Sequence, residues 1–300
     1  MPKVYVAGYD GTPSARAAVE LAAELAQPSG GRVLAVTSYE PSVPTLAPGG
    51  SIAADARLEE EARHAASMTL GELHVQNAER VTEMGRPAPA LCAVAEREQA
   101  ETIVVGATHR GKLGRIAPGS LAERLIHGAP CAVAVAPGER QATAVRTIAV
   151  AYDGGEESAA ALTYAQVLAR EHGATLRVLA ACDAPTATLD LPLMEIKSPA
   201  FDQLDADVQK IVAELPDSLN ATGEVLKGAA GHALVAACEK GVDLLVAGSR
   251  SYGPLRGALI GSVSRYLVDH AVCPTLIVPR GVQPVRRTDR ESAEEPVPSS

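Results

Sequence analysis

The stretch Ile103-Val-Val-Gly106-Ala-Thr-His-Arg-Gly-Lys-Leu-Gly-Arg-Ile-Ala-Pro-Gly119-Ser120 is answered later by Leu244-Leu-Val-Ala-Gly248-Ser-Arg-Ser-Tyr-Gly-Pro-Leu-Arg-Gly-Ala-Leu-Ile-Gly261-Ser262. Both run from an apolar, strand-like segment into Gly, twelve residues, Gly-Ser, and they lie 142 residues apart (248 minus 106). The segments that follow, Leu121 to Cys131 and Val263 to Cys273, keep that offset to a shared cysteine. A second pair opens each half: Val4-Tyr-Val-Ala-Gly-Tyr-Asp10-Gly11 and Ile148-Ala-Val-Ala-Tyr-Asp153-Gly154, 143 residues apart (153 minus 10). The chain is therefore a duplication of a unit of roughly 140 residues, near the common domain size.

The edges follow from composition. One domain is expected over 1–138, a polar linker over 139–146, a second domain over 147–280 and a disordered tail over 281–300. Gly138 to Arg146 has no hydrophobic period, and the Arg-Arg-Thr-Asp-Arg-Glu-Ser-Ala-Glu-Glu run has no face to bury.

Within each unit, short runs rich in β-branched residues alternate with longer Ala-rich runs of helical period. The first half predicts strands near Val4 to Tyr9, Arg32 to Ser38, Arg80 to Glu83, Thr102 to Gly106 and Ala132 to Ala136. Helices are predicted near Pro13 to Gln27, Ala53 to Gln76, Ala88 to Gln99 and Ser120 to His127. The second half repeats the pattern with strands near Thr147 to Tyr152, Leu176 to Ala181, Gly223 to Leu226, Asp243 to Ala247 and Thr275 to Val278. Continuous apolar strands joined by helices define an α/β fold with a parallel sheet covered on both faces. Thr12 with Pro13 marks the first helix start, whereas its counterpart offers Gly155 and then Glu156-Glu157, which suit a helix N-terminus but repel a phosphate there. Two Pro-rich stretches, Glu40 to Gly50 and Asp183 to Pro199, have the composition of flaps over the carboxyl edge of the sheet.

Composition narrows the function classes. A net charge of −9 without a basic stripe argues against nonspecific nucleic-acid binding, and one Phe with no Trp leaves little to stack on single-stranded bases. Five cysteines with no C-x-x-C pattern read as reduced, mostly buried thiols. Met1-Pro2-Lys3 leads directly into a strand-like run with no signal-peptide stretch, and no segment has the length and hydrophobicity of a membrane span, so the expected location is the cytoplasm. The seven histidines show no metal-ligand spacing, and no nucleophile elbow or magnesium-binding carboxylate pair is present, so no fast catalysis is expected.

The matched loops can carry binding. Ligands of an open parallel sheet sit beyond the carboxyl ends of the strands where strand order reverses. Asp10 and Asp153 end the first strands, and Gly106 and Gly248 end the fourth. A strand-end Gly admits backbone amides to an anion, and a Gly-Ser at a helix start adds free amides and a hydroxyl. The aspartate is suited to accept from a ribose or an adenine amine. The same glycines can equally be turn residues and the aspartates strand-end caps. Gly106-x4-Gly111-Lys112 nearly spells a P-loop, but Leu113 stands where a magnesium-binding hydroxyl is needed.

Asp-Gly after the first strand, the strand-end Gly, Gly-Ser thirteen residues later (119 minus 106) and then a helix ending in Ala-Pro-Cys or Val-Cys-Pro resemble the universal stress protein family, in tandem, over almost everything from Lys3 to Pro279. The resemblance implies two tandem open five-stranded parallel sheets with helices on both faces, adenine nucleotide alpha hydrolase-like and Rossmann-like, with strand order 3-2-1-4-5. It also implies pairing of the two last strands into a pseudo-dimer within one chain. In the nucleotide-binding branch of the family the motif is Gly-x2-Gly-x9-Gly-Ser/Thr, and it carries onto Asp10, Thr37, Gly106, Gly119 and Ser120, and onto Asp153, Ala181, Gly248, Gly261 and Ser262. Both halves depart from it at the second glycine, which is His109 in one and Ser251 in the other.

The expected ligand is therefore ATP, with or without Mg2+, serving as a switch read by an unknown protein partner. The resemblance also allows homodimerisation, and it implies binding and signalling with at most a very slow ATPase. The competing reading is a nucleotide-free interaction module whose glycine loops are structural.

Overall fold

A computed structural model describes residues 2–40, 52–71, 73, 78–107, 121–138, 144–183, 199–249 and 261–282. The first half runs β1 (Val4–Gly8), α1 (Pro13–Ala26), β2 (Arg32–Tyr39), α2 (Ile52–Gly71), β3 (Ala78–Met84), α3 (Pro87–Arg97), β4 (Thr102–Gly106), α4 (Leu121–Gly128) and β5 (Ala132–Ala136). The second half repeats it with β6 (Thr147–Ala151), α5 (Glu156–His172), β7 (Thr175–Cys182), α6 (Pro199–Glu214), β8 (Thr222–Lys227), α7 (Ala230–Cys238), β9 (Leu244–Gly248), α8 (Ser262–His270) and β10 (Thr275–Val278). The periodicity readings place these elements well, except that α2 ends at Gly71 rather than Gln76 and β3 begins at Ala78 rather than Arg80. The flap segments 41–50 and 184–198, the linker core 139–143 and the tail 283–300 lie outside the described residues.

All strand pairs within a half are parallel, and each half has the order 3-2-1-4-5. The halves do not remain separate sheets. β5 and β10 pair antiparallel, Thr275 with Val135, Leu276 with Ala134 and Ile277 with Val133, so the order is β3-β2-β1-β4-β5-β10-β9-β6-β7-β8 in one ten-stranded sheet. These two apolar strands would otherwise be open sheet edges, and pairing them satisfies both rows of backbone groups. Side chains alternate along every strand. Tyr5 and Ala7 of β1 face a layer built by α1 and α5, while Val4 and Val6 face a layer built by α3, α4, α7 and α8. Each layer runs unbroken across the seam. The core is aliphatic, with Tyr5 and Tyr164 its largest fully buried side chains.

A polar junction locks the two halves on the α1/α5 side. The Tyr164 hydroxyl of α5 donates to the Glu101 carbonyl (3.0 Å) and lies 2.9 Å from Thr102 Oγ1, both at the start of β4. Lys3 Nζ, just before β1, pairs with Glu171 at the end of α5 (2.9 Å) and with Glu101 (3.6 Å). Burial raises the Tyr5 and Tyr164 hydroxyl pKa values well above the usual phenol range, with the Glu101 carboxylate adding to both. Among the described residues, no helix is long and apolar enough to cross a membrane.

Candidate functional site

The site of the first half starts from a turn. β1 must hand over to α1 within a few residues, and Gly11 does so at φ +83°, a conformation that side chains disfavour. Asp10 holds this turn: its Oδ1 accepts from Thr12 N (3.1 Å) and from Thr12 Oγ1 (2.6 Å). Thr12 Oγ1 in turn accepts from Ala15 N (3.3 Å), capping the helix, and Pro13 at the first helical position has no N–H to leave unpaired. Asp10 thus caps the turn with one oxygen. Among the described residues, no hydrogen bond engages its other oxygen.

β4 ends beside this turn, because β1 and β4 are neighbours with Ala7 opposite Val104. A Cβ on Gly106 would stand 2.2 Å from the Ser14 carbonyl oxygen and 2.4 Å from its carbon. The strand-end glycine therefore has a packing reason of its own: it lets the first turn of α1 rest directly on β4. Thr37 near the end of β2 is buried and donates its hydroxyl to the Tyr9 carbonyl (2.7 Å), tying the ends of β1 and β2 together. Asp10, Thr37 and Gly106 line a single cleft of about 660 Å³, with Thr12 and Ser14 on its helix side and Leu91, Val105 and Leu121 among its apolar wall. The cleft lies at the point where strand order reverses between β2-β1 and β4-β5.

The second half builds the same frame. Gly154 turns at φ +79°, Asp153 Oδ1 accepts from Gly155 N (2.9 Å), and a Cβ on Gly248 would stand 2.3 Å from the Glu157 carbonyl oxygen. Ser264 Oγ donates to the Gly248 carbonyl (2.9 Å), fastening the first turn of α8 to the end of β9. Asp153, Ala181, Gly248, Gly261 and Ser262 line one cleft of about 300 Å³. His109, Gly119, Ser120 and Ser251 lie outside the described residues.

With this geometry in view, a model of the universal stress protein family matches residues 1–137 and again 144–279. The chain belongs to the universal stress protein family. It is 32% identical over 133 residues to a universal stress protein of Thermus aquaticus, covering 44% of this chain and 97% of that one. A Mycolicibacterium smegmatis universal stress protein is 27% identical over 237 residues, 73% of this chain and 77% of its own. Among solved structures, a universal stress protein from Archaeoglobus fulgidus superposes with a TM-score of 0.67 at 16% identity, covering 94% of this chain and all of that one. That likeness is one of fold.

The two universal stress protein sites differ at their helix starts, in residues that motif reading passed over. No acid stands in the first turn of α1, where Thr12 supplies the cap. α5 is capped by Gly155 without a side-chain bond and opens with Glu156 and Glu157. Glu157 lines the second cleft at the position Ser14 holds in the first. Arg280, just beyond β10, approaches both glutamates at 3.8 Å. The 143-residue offset pairs Ser14 with Glu157 directly (157 minus 14), so aligning the halves residue by residue would have found them. Among the described residues, no group of three or more His, Cys, Asp or Glu is placed to hold a metal ion.

Proposed function

We propose that this universal stress protein binds ATP in the first-half cleft and acts as a ligand-dependent switch. The observation that carries the reading is the convergence of three features on one cleft at the topological switch point. These are the outward oxygen of Asp10, the acid-free N-terminus of α1, and an apolar wall of Leu91, Val105 and Leu121. The Asp10 carboxylate would accept from ribose hydroxyls with the oxygen not used in the turn. Thr37, its hydroxyl already given to Tyr9, would contribute main-chain groups and shape beside the base. The phosphates would face the positive end of α1 and the His109 to Ser120 segment, which carries Arg110, Lys112 and Arg115 in the sequence. Mg2+ would ride on the phosphates, since no acidic cluster of the described residues is built for it. Universal stress proteins are generally not enzymes, and no described group is placed as a general base beside a hydroxyl nucleophile.

The switch would act through a partner surface or a second copy that responds to occupancy. The nucleotide-free module is the second reading. It is favoured by the structural duties already found for Asp10 Oδ1 and for Gly106. Calorimetric titration with Mg-ATP separates the two. ATP should bind saturably, and Asp10→Asn, which keeps the turn acceptor but removes the charge, should weaken it about tenfold, as expected for one charge-assisted hydrogen bond. Absence of binding heat and of any thermal shift would leave the nucleotide-free module.

A further inference from the structure

We infer that the second cleft is a nucleoside site that rejects phosphates, so that the two halves take different forms of the same ligand class. This rests on the adenine-nucleotide reading of the first half and adds the ligand charge each half accepts. The frames are alike: both first turns rest on a strand-end glycine, and both aspartates hold the turn after the first strand. The charge at the mouth is not. In the first cleft the helix contributes a threonine cap and the Ser14 hydroxyl, which lies 3.2 Å from Thr12 Oγ1. In the second, Glu157 replaces that hydroxyl, its side chain is 19% exposed and it faces the cleft, with Glu156 one residue before it. The positive end of α5 is thereby answered by the protein's own carboxylates.

Arg280 does not cancel them. Its two ion pairs are long and its side chain is 58% exposed, so three carboxylates, Asp153, Glu156 and Glu157, meet one solvated guanidinium. A triphosphate entering this cleft would meet net negative charge from the helix side. A nucleoside would not. The walls are apolar, made by Leu179, Ala181, Leu234 and Ala247, and the carboxylates are acceptors suited to ribose hydroxyls or an amine. The volume of about 300 Å³, less than half that of the first cleft, also suits a smaller ligand.

A reciprocal exchange tests this on the full chain. Equilibrium dialysis of nucleotide-stripped protein against labelled ATP and, separately, labelled adenosine counts the sites. Wild type should take one ATP and two adenosines per chain. Glu157→Ser should gain a second ATP, its affinity there rising roughly 10- to 100-fold, the range one unit charge at about 6–8 Å gives at an effective dielectric near 20. Ser14→Glu should lose the first ATP and keep both adenosines, which also shows that the variant is folded. Two ATP per chain in wild type, or no second ATP in Glu157→Ser, overturns the inference while leaving the nucleotide reading intact. Failure of wild type to take either ligand overturns both.

Discussion

Adding one methyl group at Gly106 should disturb the fold and the first cleft together. The Cβ of alanine would stand 2.2 Å from the Ser14 carbonyl oxygen, 1.2 Å short of ordinary contact (3.4 minus 2.2), and the opposing atoms are backbone rather than the end of a flexible side chain. Relief requires the start of α1 to lift off β4. That movement would strain the Asp10–Thr12 hydrogen bonds and loosen the α1 face of the core. Overpacking of a well-packed site costs about 1–3 kcal/mol, and a backbone opponent places this case at the upper end, about 3 kcal/mol. For domains of this size that corresponds to a fall in Tm of roughly 6–12 °C. Gly248→Ala should behave the same way, because its Cβ would meet the Glu157 carbonyl at 2.3 Å. Gly128 is the control: it ends α4, nothing stands within 4 Å of its would-be Cβ, and Gly128→Ala should stay within about 1 kcal/mol of wild type. Urea and thermal denaturation followed by far-UV circular dichroism read all three. A Gly106→Ala protein as stable as Gly128→Ala would refute the claim that these glycines exist to seat the helices.

Other consequences follow from named contacts. Thr12→Ala removes the cap of α1 and the Asp10 partner hydroxyl and should cost about 1 kcal/mol, with weaker ATP binding in calorimetry as the turn loosens. Tyr164→Phe deletes the hydroxyl that joins α5 to the start of β4, and loss of those buried hydrogen bonds should cost about 1–3 kcal/mol by urea denaturation; no change would mean the junction is not load-sharing between the halves. Burial, with Lys3 adding to it against the opposing Glu171 carboxylate and the Leu25 main chain, holds His172 below its ordinary pKa. The unfolded chain then binds that proton more readily, so stability is full above the ordinary histidine range near about 6.5 and is lost as pH falls through it. His172→Gln should flatten the Tm profile between about pH 7 and 5. The Cys131 thiol, pushed up to about 12 by burial, should resist alkylation at about pH 8 in the folded protein and react promptly after unfolding.

Much of this architecture is legible in the amino-acid order because it is local and repeated. The strands are short and apolar, Asp-Gly marks the turn after the first of each half, and the matched Gly-Ser loops expose the duplication. The 3-2-1-4-5 order and the β5–β10 seam came from the family resemblance rather than from periodicity, which cannot tell which strands are neighbours. What stayed hidden depends on approach in space. Gly106 looks like a phosphate-loop glycine until Ser14, 92 residues earlier (106 minus 14), is seen resting on it. The link from Tyr164 to Thr102 joins positions 62 apart that no pattern pairs. Arg280 sits at the end of the expected second domain, yet it returns to the first turn of α5. Thr37 fell in the cleft as the motif implied, but its hydroxyl serves the Tyr9 carbonyl, a duty that only the β1–β2 register explains.

The central claim, ATP in the first cleft, is tested most directly by a crystal structure of the nucleotide-stripped protein grown with saturating Mg-ATP. The account predicts continuous ligand density in the first half, with ribose at Asp10, base beside Thr37 and phosphates toward the start of α1. Well-ordered crystals with that cleft empty at saturating ATP would contradict it.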